Sequence, residues 1–291
     1  MFPKIRDIVT AMRPKQWVKN LFIYAGLIFS KNLLEADLFL KVSIGFVFLC
    51  LASSGVYIFN DIKDLESDRN HLTKSKRPLA SGKLKVSSAY ILSIGMLAIS
   101  LVGALLLDRI FLVILASYVV MNLAYSFKLK HVVIVDIMAI ALSFVLRVVA
   151  GTVLADVRAS DWLIICTMAV ALFLGFSKRR QELVLGGSNA VNQRRVLESY
   201  SVPFLDQMIA VVTACTVISY ALYTISAETV IRFGTRNLIF TIPFVLYGIF
   251  RYLYLTYHKA TEENPTEMII SDGPFLLNIA FWVITVLIVI Y

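Results

Sequence analysis

The chain has 291 residues, 59% hydrophobic and 16% charged, with 28 Lys and Arg against 19 Asp and Glu for a net charge of +9. A soluble domain averages about half apolar and a quarter charged, so this composition excludes an ordinary soluble enzyme and requires a lipid solvent. The apolar runs are continuous over roughly 17 to 25 residues, which fits membrane-crossing helices and excludes the ~10-residue alternation of a β-barrel.

The expected fold is all-α and integral to the membrane, a single polytopic transmembrane domain over residues 1–291 with about nine helices. At the start of the chain, Ile5, Ile8, Val9 and Met12 follow helical spacing among Lys4, Arg6, Arg13 and Lys15. That pattern predicts a short helix in the membrane interface, with Trp17 as an interfacial anchor. The first apolar stretch begins only near Leu21 and no small-residue cleavage site follows it, so no cleavable signal is expected and Met1 is retained. The spans are expected at 18–35, 38–60, 87–107, 110–127, 132–155, 160–177, 207–228, 238–257 and 274–291. Cys50, Cys166 and Cys215 fall inside these runs without metal or disulfide spacing and read as packing residues.

With the N-terminus cytoplasmic, twenty cations lie inside and six outside, which fixes the orientation by the positive-inside asymmetry. The same asymmetry accounts for the net charge without a nucleic-acid partner. Two inside loops are long, at about 61–86 and 178–206, and function is expected there. They follow the second and sixth spans, an arrangement compatible with two four-helix halves. Gly186-Gly187-Ser188-Asn189 interrupts the second loop and is too short for an interdomain linker.

The most specific signal is Asn60-Asp61-Ile62-Lys63-Asp64-Leu65-Glu66-Ser67-Asp68, at the inside end of the second span. On a continuing helix, Asp61, Asp64 and Asp68 share one face, with Asn60 one turn before Asp64. Like charges at a helix C-terminus are unfavourable by roughly 0.3 to 1 kcal/mol each, and a bound cation reverses that penalty. Mg²⁺ suits such a site, because it takes a few carboxylates and completes its shell with water and phosphate oxygens. The plain alternative is a solvated acidic helix end. A basic run follows directly, through Arg69, His71, Lys74, Lys76, Arg77 and Lys83. Carboxylates for a metal next to cations for oxygens is the pairing that a phosphorylated substrate requires. For the run alone, the alternative is the charge rule for inside loops; His71 reads as a loop residue or phosphate contact.

Asn60-Asp61-x-x-Asp64-x-x-x-Asp68 resembles the first aspartate-rich motif of the UbiA superfamily of intramembrane prenyltransferases. Within that superfamily, four more segments are similar to the decaprenyl-phosphate phosphoribosyltransferases. They are Arg13-Pro14-Lys15-Gln16-Trp17-Val18-Lys19-Asn20, the Lys74 to Gly82 run with Lys76-Arg77-Pro78-Leu79-Ala80-Ser81, Tyr125-Ser126-x-x-Leu129-Lys130 with Asp136, and Lys178-Arg179-x-x-Glu182-Leu183. The resemblance implies a UbiA-like helical bundle in the cell membrane, with its active site on the cytoplasmic side. It implies Mg²⁺-dependent transfer of 5-phosphoribosyl from phosphoribosyl diphosphate to a polyprenyl phosphate, with release of diphosphate. Asp61, Asp64 and Asp68 would be metal ligands and catalytic, and Lys19, Asn60, Lys74, Arg77, Tyr125, Lys130, Asp136, Lys178, Arg179 and Glu182 would contact substrate.

One departure discriminates between activities. A prenyltransferase of this superfamily has a second aspartate-rich loop after the sixth helix, whereas Lys178, Arg179 and Arg180 stand there in this chain, with Glu182 the nearby acid. Cations at that place fit a lipid phosphate or sugar phosphate held directly. Asp136 and Arg147 are intramembrane charges on one helix face, about 16 Å apart, and cannot pair with each other. Rival readings are prenyl transfer to an aromatic acceptor and a transporter without chemistry. The transporter is disfavoured because such proteins bind near the midplane on broken helices.

Overall fold

The computed structural model describes residues 4–70, 73–186, 195–258 and 271–291. Among them the secondary structure is helical, without strands. Among the described residues, eight helices are long and apolar enough to cross a membrane. The chain divides into two compact units, Met1–Ala159 and Ser160–Tyr291.

In the first unit, α1 (Ile5–Met12) ends at Arg13. Pro14 then opens a 3-10 helix of 11 residues, Pro14–Tyr24, which runs into the single turn α2 (Ala25–Ile28). Helix α3 (Ala36–Lys63) and the short α4 (Leu65–Arg69) follow. Three more long helices complete the unit: α5 (Val86–Leu107), α6 (Arg109–Phe127) and α7 (Val135–Leu154). Eight of the nine expected spans are therefore long helices, and the ninth, 18–35, is 3-10 helix and one α-turn.

Periodicity explains that difference. A 3-10 helix brings residues i, i+3 and i+6 into one line, whereas an α-helix turns each such step by about 60°. Trp17, Asn20 and Ile23 form the inward line. Trp17 Nε1 donates to Ser54 Oγ at 3.0 Å. Asn20 Nδ2 donates to Ser53 Oγ at 3.1 Å and Cys50 Sγ at 3.2 Å, and Ile23 is fully buried. Lys15, Val18 and Leu21 form the exposed line. Gly151 lets α7 touch this segment, since a Cβ there would overlap the Ile23 carbonyl oxygen.

Helix burial in a bilayer gains little over lipid contact, so close packing and hydrogen bonds hold such a unit together. Small residues on α3 serve that purpose: Ala52, Ser53, Ser54 and Gly55 are buried, and Ser93 Oγ on α5 donates to the Gly55 carbonyl at 2.8 Å. Ile23, Leu27, Leu49, Phe111, Leu115 and Leu154 form the centre of the packing. A second cluster fixes the loop after α4, where Leu79 and Leu84 pack with Ala11, Ile58 and Ala89.

The second unit also carries four long apolar helices. They are α8 (Asp161–Gly186), α9 (Val202–Ile225), α11 (Ile242–His258, preceded by 3-10 helix Asn237–Thr241) and α12 (Gly273–Ile290), with the short α10 (Ala227–Phe233) after α9. Asp272 caps α12 by accepting from Phe275 N at 3.0 Å, and Arg251 grips the same carboxylate at 2.9 and 3.1 Å. Helix α8 continues nine residues past the expected end at 177, so Lys178, Arg179 and Glu182 stand on a helix rather than in a loop. His71, Gly187, Ser188, Asn189, Arg194 and the side chain of Arg195 lie outside the described residues.

Candidate active site

Helix α3 presents Asp61 in its last turn and ends at Lys63, with Asp64 as its C-cap, and α4 carries Asp68. The helix breaks inside the motif, yet Asp64 N bonds Asn60 O at 2.9 Å and Asp68 N bonds Asp64 O at 2.8 Å, keeping the acids on successive turns. Asp61 and Asp68 are only 5% and 3% exposed. Carboxylates buried to that degree require cationic partners.

The partners come from three separate segments. Arg77 Nη1 donates to Asp61 Oδ1 at 3.0 Å and to Asp68 Oδ2 at 2.6 Å. Arg13 Nη2 donates to the same Asp61 oxygen, and Lys130 Nζ donates to Asp64 Oδ1 at 2.5 Å. The structure thus brings Asp61 and Asp68 together on one guanidinium and holds Asp64 separately on an ammonium. Burial lowers the pKa of Arg13 from its ordinary value, reinforced by the Arg77 charge and opposed by Asp61.

Local sequence aims each cation. Pro78 keeps Arg77 extended, at φ −61° and ψ 147°. Leu79 and Leu84 are the buried anchors of the same loop. Gly82, at φ +75°, makes the turn that lets Leu84 N reach Pro78 O at 2.9 Å. Arg13 and Ile134 adopt φ +56° and +68°, a region that non-glycine residues rarely enter and that is over-represented at functional sites. Arg13 lies on Asp61, while Ile134 stands between Lys130 and Asp136.

The remaining expected residues lie on other elements of the two units. Lys74 opens the 3-10 turn just before Arg77, Tyr125 lies in the last turn of α6, and Asp136 is fully buried in the first turn of α7. Lys19 is half-buried within the 3-10 segment. In the second unit, the fully buried Arg179 donates to Glu182 Oε2 at 2.7 Å, and Lys178 Nζ is 3.9 Å from Glu182 Oε1.

Sequence reasoning passed over Arg13 as a site residue, although its motif also holds Lys19 and Asn20. It names Arg180 in the cationic cluster of the second unit but misses its partners: Arg180 Nε and the Tyr257 hydroxyl donate to Asp206 Oδ1 at 2.5 and 2.6 Å, with the guanidinium 3.8 Å over the Tyr257 ring. Sequence separations of 26 and 51 residues leave no local signal for those contacts.

Among the described residues, no group of three or more His, Cys, Asp or Glu side chains is arranged to hold a metal ion. Arg13, Arg77 and Lys130 engage the three carboxylates instead. The donor set itself fits Mg²⁺, which takes hard oxygen ligands. A further oxygen is available beside the carboxylates, because Asn60 Oδ1 is buried without a hydrogen-bond partner, a state that a bound ion or donor would relieve.

The UbiA prenyltransferase family matches residues 20–180. The chain is 32% identical over 299 residues to the decaprenyl-phosphate phosphoribosyltransferase of Mycolicibacterium smegmatis, covering 99% of this chain and 93% of that protein. It is 30% identical over 289 residues to the protein of the same name from Corynebacterium glutamicum, covering 98% and 86%. Its fold is similar to that of a UbiA homologue from Archaeoglobus fulgidus solved with GPP and Mg²⁺, with a TM-score of 0.76 at 20% identity over 98% and 99% of the two chains. Eight membrane-length helices and a family match over more than half the length lead to one conclusion: this is a multi-pass membrane protein that belongs to the UbiA prenyltransferase family.

Proposed function

We propose that the protein is a polyprenyl-phosphate phosphoribosyltransferase of the cell membrane. It moves 5-phosphoribosyl from phosphoribosyl diphosphate to a decaprenyl-type polyprenyl phosphate, with Mg²⁺, and releases diphosphate. The observation that carries this reading is the near-full-length similarity to two bacterial proteins named for that activity. The ionic cluster supports it in kind, because carboxylates for a metal and cations for phosphate oxygens are interleaved there.

Asp61, Asp64, Asp68 and the Asn60 amide oxygen would hold the ion. Mg²⁺, when bound, neutralises diphosphate charge and stabilises it as a leaving group. Arg13, Arg77 and Lys130 exchange carboxylate oxygens for diphosphate oxygens. Three carboxylates opposite three cations make that exchange possible without stranding a charge, because cation and anionic donor arrive together. Lys19 and Lys74 add positive charge, and Tyr125 and Asp136 meet the ribose hydroxyls. Lys178 and Arg179, braced by Glu182, hold the lipid phosphate, where guanidinium geometry matches the oxygens. That phosphate is already ionised near neutral pH, so it requires positioning rather than a general base. With the N-terminus cytoplasmic, the carboxylates face the compartment from which a soluble donor arrives.

The test is incubation of the purified protein with Mg²⁺, phosphoribosyl diphosphate and a panel of polyprenyl phosphates. The lipid is expected to gain the mass of one phosphoribosyl group as diphosphate appears in equal amount. Reaction of an isoprenyl diphosphate with an aromatic acid instead would overturn the assignment.

A further inference from the structure

Helix α7 buries a guanidinium among neutral partners. Arg147 is 3% exposed. Its Nε donates to Asn20 Oδ1 at 2.8 Å, its Nη1 to the Ser143 carbonyl and hydroxyl at 2.7 and 2.8 Å, and its Nη2 to the Tyr118 hydroxyl at 2.9 Å. The Tyr118 and Phe144 rings lie 4.8 and 5.2 Å from the guanidinium carbon. A charge inside a membrane-crossing helix is expensive and is retained where it has a task. None of the groups it bonds, Asn20, Ser143 and Tyr118, belongs to the ionic cluster.

What Arg147 does reach is the 3-10 segment. Hydrogen-bond geometry in a 3-10 helix is poor and runs beyond three or four residues are uncommon, so one of 11 residues needs outside support. Asn20, at its middle, is held on both sides. Its Oδ1 accepts from Arg147 on α7, and its Nδ2 donates to Ser53 and Cys50 on α3. Arg13, which donates to Asp61, stands seven residues upstream of Asn20. Relaxing that stretch from 3-10 to α geometry turns Arg13 relative to Asn20 by about 140° and shortens the path by about 3.5 Å.

We propose that Arg147 is a positioning residue: by holding Asn20 it sets the register of Pro14–Tyr24, and that register aims Arg13 at the carboxylate site. The catalytic consequence rests on the transferase reading above; the tether itself does not. Displacements of ~1 Å at a reacting site cost up to ~100-fold in rate. A losing tether therefore reduces kcat/KM by about 10- to 100-fold.

The test reads the segment directly through Trp17, with Trp162 and Trp282, the other two tryptophans, replaced by Phe in every variant. Arg147→Gln, Arg147→Lys and Asn20→Ala are expected to raise acrylamide quenching of Trp17 about twofold or more, as buried contacts of the segment loosen. Arg147→Lys belongs with the defective variants because an ammonium lacks the fork that reaches Asn20, Ser143 and Tyr118 together. Asn20→Asp keeps an oxygen for Arg147 and is expected to quench like the parent. Should Arg147→Gln fail to insert, the Asn20→Ala and Asn20→Asp pair decides the question. In turnover, Arg147→Gln combined with Arg13→Gln is expected to be no slower than Arg13→Gln alone, since the tether acts through that side chain. Unchanged Trp17 quenching in Arg147→Gln and Asn20→Ala, or losses that multiply in the double variant, would overturn the proposal. A Trp17 response in a protein that transfers no phosphoribosyl group would support the tether and sink the transferase reading.

Discussion

Lys130 Nζ lies 2.5 Å from Asp64 Oδ1, joining the turn after α6 to the end of α3. The ammonium is 12% exposed and the carboxylate 27%, so the pair is shielded more than a surface salt bridge. If Lys130 passes from Asp64 to diphosphate in the substrate complex, Lys130→Gln removes one charge-assisted hydrogen bond, worth about 1.5–3 kcal/mol. The KM for phosphoribosyl diphosphate is then expected to rise by roughly 10- to 100-fold. Steady-state titration of the donor checks this, and an unchanged KM would assign Lys130 to structure alone.

Asp61→Asn, Asp64→Asn and Asp68→Asn keep side-chain shape and remove metal-binding charge. Each is expected to lower turnover by about 100-fold or more, the range seen when one electrostatic contact to a developing anion is deleted. Thermal unfolding separates the three, because Asp61 and Asp68 share Arg77 while Asp64 does not. Asp68→Asn leaves Arg77 its other carboxylate and is expected to keep the parental midpoint, whereas Asp61→Asn also takes the carboxylate from Arg13 and Asp64→Asn takes it from Lys130, so both are expected to unfold at a lower temperature while remaining folded under assay conditions. Near-normal Mg²⁺-dependent activity in all three would remove the carboxylates from the mechanism.

Hydropathy made the long helices legible. The expected 87–107 and 110–127 are Val86–Leu107 and Arg109–Phe127, since apolar length alone decides such spans. The first span was not legible in kind, because length and apolarity do not distinguish a period of 3.0 from 3.6. Asn20 decides that question through partners on α3 and α7, and contacts with such distant segments are invisible in a local window. The acidic motif was readable because three carboxylates at one helix end are locally unfavourable. Their pairing with Arg13, Arg77 and Lys130 was not, since the basic loops satisfy the topology rule whether or not a given cation turns inward. Burial of Leu79 and Leu84 turns Arg77 inward, and a long basic loop conceals that signal.

The second unit yields a different ordering of variants from the one its charges suggest. Arg179 is fully buried and donates to Glu182 at 2.7 Å, whereas Lys178 is about a third exposed and 3.9 Å from the same carboxylate. Arg179→Ala is expected to lower stability by about 1–3 kcal/mol as well as activity, because a hydrogen bond to a charged group is lost from the interior. Glu182→Gln takes the carboxylate from Arg179 and is expected to be comparably harmful. Lys178→Ala leaves stability nearly unchanged, as exposed pairs contribute ~0–1 kcal/mol, and any loss it shows in KM for the polyprenyl phosphate reports substrate contact. Unfolding midpoints measured beside KM for each variant check the ordering, and an equal, small effect of all three would show that this cluster only orients the chain.

Contact between α7 and the 3-10 segment is tested most simply at Gly151, one turn beyond Arg147. A methyl group there would meet the carbonyl oxygen, carbonyl carbon and Cα of Ile23. All three are backbone atoms, which cannot rotate aside as the end of a side chain does, so either α7 or the segment must move. Overpacking of that kind costs about 1–3 kcal/mol. Gly151→Ala is therefore expected to lower the unfolding midpoint, raise Trp17 quenching and reduce turnover together, even though position 151 lies far from the carboxylates. Gly95 on α5 is the matched control, since a Cβ there meets nothing within 4 Å. Gly95→Ala gains the helix propensity of alanine, up to about 1 kcal/mol, and is expected to hold or raise the midpoint with turnover unchanged. A Gly151→Ala protein as stable as Gly95→Ala, with parental Trp17 quenching, would show that the segment is not packed against α7 and that the tether through Asn20 lacks its second point of support.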